Sequence, residues 1–211
     1  MFADEVLRIH ERFLVEVIER LGLCPWAEGT RSTGQLRRAV MLDDDPARAA
    51  DEILGLGDGV LVGILIWPRF FEAPDKFDEL VAAVRRLEES KRGARSPFVI
   101  ATFHPRLSYS TASPDRLVPL FRRSPDPSLQ LIRHAALQSV RSAGPAGKFL
   151  FDGSARAWAE LERREKELPV SDRIAHENSA TVEKVGVERL LACYREIAAD
   201  RDASYKRFGE R

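Results

Sequence analysis

Val60-Leu61-Val62-Gly63-Ile64-Leu65-Ile66-Trp67 is the stretch whose reading decides the fold. It is continuously apolar, rich in β-branched residues and short, so it reads as a strand covered on both faces. Asp58-Gly59 supplies the turn leading in, and Pro68 ends the run. A strand of this kind needs helices above and below its sheet, and the flanking sequence provides them. Over Asp75–Ser90, Phe77, Leu80, Val81, Val84 and Leu87 recur at helical spacing. Lys91 and Arg92 then suit the helix C-terminal dipole. Pro97 opens a further strand, Phe98–Phe103, which stops at His104-Pro105. On the other side, Asp45 or a neighbour caps a helix from Pro46 to about Leu56, and Leu36–Leu42 reads as a short strand. The order strand, helix, strand, helix, strand predicts an α/β fold with a small three-stranded, mostly parallel βαβαβ sheet. The first crossover is short, which leaves an antiparallel first pair open.

Further out, Val6, Ile9, Phe13, Leu14, Val17, Ile18 and Leu21 predict an amphipathic N-terminal helix over Asp4–Leu21. Gly22 stands where a left-handed stop belongs, and Leu23 offers the apolar contact of a Schellman motif. Cys24-Pro25-Trp26 leaves the helix in extended form. Between His104 and Asp126 no period is visible, and aperiodic segments of that length tend to be binding loops or lids. Asp126-Pro127 has the pattern of an N-cap followed by proline, which predicts a helix running to about Ser142. A Gly/Pro-punctuated link (144–153) leads to helices over about 154–168, 171–179 and 181–200. The expected arrangement is a single α/β domain over 1–200, with its core in 4–143 and a helical C-terminal part in 154–200. A charged, frayed tail, 201–211, follows.

The 33 basic and 33 acidic side chains of this 211-residue chain cancel. A broad nucleic-acid or membrane footprint needs a positive surplus, so neither partner is expected. The longest apolar run is far too short to span a bilayer, and the N-terminus has no basic and apolar leader pattern. Two cysteines, Cys24 and Cys193, make no disulfide framework. A cytoplasmic location is the expectation.

Chemistry concentrates at three places. His104 ends a strand, where ligands of open α/β sheets bind, and its ordinary pKa of about 6.5 suits an acid–base role. The structural alternative is a histidine that hydrogen-bonds backbone and locks the loop. Arg123 and Ser124, before the expected helix start at Asp126, suit an anion site built on a helix N-terminus. A solvated arginine pair is the plain reading. Cys24 follows a helix C-terminus, whose partial negative charge disfavours a thiolate. A structural thiol is therefore expected there, with a nucleophile as the alternative, while Cys193 belongs to the core. The histidines and cysteines fall into no metal-ligand spacing, and no phosphate or dinucleotide loop is present, so no metal and no cofactor are expected.

Several stretches resemble an uncharacterised bacterial family, domain of unknown function 1415. They are Leu23-Cys24-Pro25-Trp26-Ala27, Gly34-Gln35-Leu36-Arg37, Ala101-Thr102-Phe103-His104-Pro105, Ser113-Pro114-Asp115, Arg123-Ser124-Pro125-Asp126-Pro127-Ser128 and Leu131-Ile132-Arg133. The chain departs from the family pattern at Arg122, where Asn is usual, and at Thr111-Ala112, where Gly-Thr is expected. The resemblance implies no known reaction. It does place Cys24, Arg37, His104, Arg123 and Arg133 in one signature, and so suggests a shared pocket. Two readings follow. In one, an enzyme acts on a small anionic metabolite held by Arg37, Arg123, Arg133 and Ser124, with His104 as acid or base and Cys24 assisting. In the other, the chain is a non-catalytic ligand-binding or protein-interaction module. Oligomeric state is left open by the sequence.

Overall fold

The computed structural model describes residues 1–24, 27–134 and 180–209. The expectations for Pro25 and Trp26, for 135–142, for the link 144–153 and for the helices over 154–168 and 171–179 lie outside the described residues.

Helix α1 (Phe2–Phe13) continues through a π-helical segment (Leu14–Glu19) to the stop at Gly22. Gly22 has φ +63°, the Leu23 N–H donates to the Ile18 carbonyl at 2.9 Å and the Gly22 N–H to Glu19 at 3.0 Å. That is the Schellman pattern expected there. A short helix α2 (Ala27–Ser32) leads to strand β1 (Leu36–Val40). Asp45 Oδ1 accepts the Ala47 N–H at 2.9 Å, so Asp45 is the N-cap of α3 (Pro46–Leu54). Strand β2 (Val62–Ile66) is buried at every position. Helix α4 (Pro74–Arg92) and strand β3 (Phe98–Phe103) follow as expected.

Several expectations fail beyond this point. The segment after His104 contains helix α5 (Pro114–Phe121), capped by the Ser113 hydroxyl, which accepts the Arg116 N–H. Asp126-Pro127 does not start a helix. It precedes strand β4 (Ser128–Arg133). The sheet therefore has four strands in the order β1-β2-β4-β3, not three. β1 and β2 are parallel, but β4 lies antiparallel between β2 and β3, so the sheet is not the mostly parallel βαβαβ sheet expected: β3 pairs with the inserted β4 and not with β2. Leu129 and Leu131 fall in one apolar layer and Ile132 in the other. A strand with that side-chain set is stable in a central position and would be wasted on an exposed helix.

The last helix, α6 (Val187–Lys206), runs past Arg201, where a frayed tail was expected. Ser204 and Tyr205 are buried in it. Arg8 and Arg12 of α1 grip Asp200 at 2.9 and 3.0 Å, and the Tyr194 O–H donates to the Leu120 carbonyl at 3.1 Å. These bonds dock the C-terminal segment on α1 and α5.

Helices cover both faces of the sheet. Val62, Ile64 and Ile66 pack with α1, α5 and α6, whereas Leu65 and Trp67 pack with α3 and α4. Burial of each such side chain stabilises by about 1.5–3 kcal/mol. Gly63 allows close approach on the second face, since a Cβ there would stand 2.9 Å from Leu56 Cδ1 and 3.1 Å from Leu131 Cδ1. Among the described residues, no helix is long and apolar enough to cross a membrane.

Candidate functional site

The topology sends three chain segments to one edge of the sheet. β2 and β3 end there, and β4 begins there, because Ser128 is in register with both Ile66 and Phe103. Backbone hydrogen bonds knit the segments together: Trp67 N–H to the Pro127 carbonyl at 2.9 Å, and His104 N–H to the Arg122 carbonyl at 3.0 Å. The end of α6 closes the fourth side. The result is a cavity of about 270 Å³ lined by Pro68, Phe70 and Phe71 after β2, His104, Pro105 and Arg106 after β3, Asp126 and Pro127 before β4, and Arg201 and Tyr205 of α6.

His104 is 2% exposed, and backbone occupies both its ring nitrogens. The Arg106 N–H donates to Nδ1 at 3.1 Å, so Nδ1 carries no proton. Nε2–H is then the donor to the Glu72 carbonyl at 3.2 Å. A second proton would have to displace the Arg106 amide. Burial pushes the imidazole below its ordinary pKa, the Glu72 carbonyl opposes that, and the Arg106 charge adds to it. In this geometry His104 is a neutral clamp holding the exits of β2 and β3 together.

Asp126 is 5% exposed and has its charge close to other charges. Its Oδ2 accepts the Tyr205 O–H at 2.6 Å, and its Oδ1 lies 3.7 Å from Arg201 Nη1, too far for a hydrogen bond. Burial pushes the carboxyl up from 3.8 to about 6, against the pull of Arg201 and the Tyr205 hydroxyl. Arg201 also donates to the Pro125 carbonyl and to Asp202 Oδ1. Ser124 Oγ donates to the Asp126 carbonyl at 2.6 Å and shapes the turn, so it is committed inside the loop. Arg106 donates to the Phe71 carbonyl at 2.7 Å and to the Glu72 carbonyl.

Of the residues singled out from the sequence, only His104 lines this cavity. Arg123 turns its Nε and Nη2 to the Leu107 carbonyl at 2.9 and 2.8 Å and lies over the Tyr109 ring. Without a helix at Asp126, the N-terminal anion site expected beside Arg123 and Ser124 is not formed. Arg133 is at the opposite end of the sheet, where it donates to the Val60 and Gly57 carbonyls and covers the Phe98 ring. Arg37 is exposed on the edge strand β1, in register with Gly63. Cys24 packs against the apolar cluster of α1, and its carbonyl accepts the Ala27 N–H that opens α2. The signature residues are thus dispersed over the fold, mostly holding loops and turns. Sequence reasoning missed Arg106, Asp126, Arg201 and Tyr205. Their signal was the strand-end position of the first two, obscured at Asp126 by its resemblance to a helix cap. Among the described residues, no group of three metal-ligating side chains occurs.

Neither a curated protein nor a solved structure matches the chain. A family model described as "Protein of unknown function (DUF1415)" matches residues 5–148, from α1 to beyond β4. The match takes in His104, Arg106 and Asp126 and stops short of Arg201 and Tyr205. Covering more than half of the chain, it makes this protein a member of the DUF1415 family of proteins of unknown function.

Proposed function

We propose that the protein binds a small anionic molecule in the cavity at the carboxyl edge of the sheet, and that it does so as a ligand-binding module without acid–base work by His104. One observation carries this reading: Arg106 and Arg201 line a cavity whose remaining wall is largely Pro68, Phe70, Phe71, Pro105 and Pro127. Rigid apolar walls with a few charged groups are the usual make-up of small-molecule sites. A volume of about 270 Å³ falls just under the common range of roughly 300–1,000 Å³, which suits a compact metabolite. The ligand position beyond the strand ends follows the general rule for α/β sheets. His104 supports a binding role, because its two ring nitrogens are already engaged. Two cysteines, Cys24 and Cys193, that are not joined in a disulfide suit a cytoplasmic setting.

The test is a calorimetric titration of acetate, benzoate and inorganic phosphate at pH 6 into the wild type and Arg106→Ala. At least one anion should bind the wild type and lose ten-fold or more in affinity in the variant, with an unchanged circular dichroism spectrum. Equal affinity in both proteins would refute the reading.

A further inference from the structure

We propose that the cavity takes a small carboxylic acid with a compact apolar body, and that each ligand anion enters together with one proton, which resides on Asp126. The inference rests on the anion-binding reading and specifies its ligand and its control. A count of charges at the site leads to it. Arg106, Arg201 and Asp126 line the cavity, and Asp202 lies against Arg201 at 2.6 Å. Asp202, half exposed and outside the lining, already neutralises Arg201 through bonds from its Nε and Nη2, which leaves Arg106 against Asp126, so the site is neutral when Asp126 is ionised. An entering carboxylate would leave a net negative charge in a partly open cavity of mixed polar and apolar lining, beside a buried carboxylate, which is unfavourable. One proton on Asp126 restores neutrality.

The hydrogen bonds fix where that proton goes. Tyr205 donates to Oδ2, and a phenol held at 2.6 Å as donor leaves Oδ1 as the site of protonation. Oδ1 has Arg201 only at 3.7 Å, so a protonated Asp126 has an O–H available to donate to the ligand carboxylate. The proton comes from solvent, and no covalent bond is made or broken. Ionised, the same oxygen would repel that ligand. The other charged or titratable groups facing Asp126 are Arg201, Asp202 and Tyr205 on α6, with His104 and Arg106 after β3. His104 is barred from taking the proton by the Arg106 amide on its Nδ1. Burial already brings the Asp126 carboxyl close enough to neutrality for the uptake to be feasible. The apolar body of the ligand is set by Phe70, Phe71 and the three prolines.

Benzoate, which stays ionised between pH 6 and 8, is the probe. Calorimetry at pH 7 in HEPES and in Tris, whose ionisation enthalpies differ, should report uptake of about one proton per benzoate. Affinity should fall about ten-fold per pH unit from pH 6.5 to 8. Asp126→Asn should abolish both the uptake and the pH dependence. Tyr205→Phe removes a bond to the ionised carboxylate, so it should move the onset of the fall to higher pH, and it serves if the Asn variant does not fold. Benzoate binding without proton uptake would overturn the inference and leave the anion pocket standing. Absence of benzoate binding at pH 6 would overturn it too, while phosphate or acetate binding sensitive to Arg106→Ala would still support the pocket. Unchanged pH dependence in the variants would show that the proton resides elsewhere.

Discussion

Replacing Asp126 by Asn should stabilise the protein above neutral pH. The native carboxyl is raised from 3.8 to about 6, so the folded state holds its proton more tightly than the unfolded chain does. Between these values the native state binds more protons, and wild-type stability therefore falls as pH rises through the window. Above about pH 6 the ionised Asp126 carries the full penalty. About two pKa units at about 1.4 kcal/mol each amount to ~3 kcal/mol. Asn offers Tyr205 the same acceptor and carries no charge, so it removes most of that penalty. Urea unfolding followed by circular dichroism at pH 8 should show a variant more stable by about 1–3 kcal/mol, a midpoint shift of about 1 M with unchanged slope. The advantage should disappear near pH 4, where the wild-type carboxyl is protonated. A variant less stable than the wild type at pH 8 would refute the reasoning, because it would mean that Arg201 requires the negative charge to dock α6.

Burial pushes His10 down to about 3, so its own contribution to stability, present above pH 6.5, is lost as pH falls towards 3, by up to about 4–5 kcal/mol. In the wild type the Asp126 gain offsets most of this above pH 4, so His10→Leu, unfolded by urea at pH 7 and pH 4, should become more stable on acidification by about 2–3 kcal/mol while the wild type changes little. His104→Ala removes a clamp with two backbone hydrogen bonds and should lower stability by about 2–4 kcal/mol in the same assay; a variant with full stability would return His104 to the catalytic reading. Gly63→Ala places a methyl against Leu56 and Leu131 and should destabilise by about 1–3 kcal/mol, read as a lower melting temperature. Cys24, half-buried against the α1 cluster, should react slowly with iodoacetamide at pH 7 when Cys193 is replaced by Ala; rapid labelling would mark it as a nucleophile.

The parts of the fold legible in the sequence were those where one local signal had no competitor. The Val62–Ile66 strand was visible because a run buried on both faces is apolar throughout, and the stop at Gly22 because only glycine adopts that φ without strain. β4 was misread because two signals conflicted. Asp126-Pro127 has the local pattern of a helix cap, and Leu129 and Ile132 satisfy helical spacing while Leu129 and Leu131 satisfy strand alternation. The choice between them is made by partners distant in sequence, since β2 and β3 each lack a neighbour on the side that β4 fills. Local pattern cannot report a vacancy of that kind.

The same long-range choice hid the cavity. Once Asp126 leads into a strand, its side chain is not spent on a helix cap, and it meets Tyr205 from a helix whose last turn looked like a charged tail. The composition of that turn, Asp200-Arg201-Asp202 with Lys206 and Arg207, reads as solvated because each charge considered singly belongs in water. In the fold the charges are paired: Asp200 with Arg8 and Arg12, Arg201 with Asp202 and the Pro125 carbonyl. Hydrogen bonds from Arg8 and Arg12 hold Asp200 down to about 2. Those pairs fix α6 in position, and Tyr205 can then reach Asp126. The opposite shifts of Asp126 and His10 also have a joint effect. Between about pH 4 and 6 acidification relieves the penalty on Asp126 while it begins to strain His10, with slopes of equal size and opposite sign. A stability profile of the wild type that is flat across this window is therefore the sum of two steep terms, and only the single variants separate them.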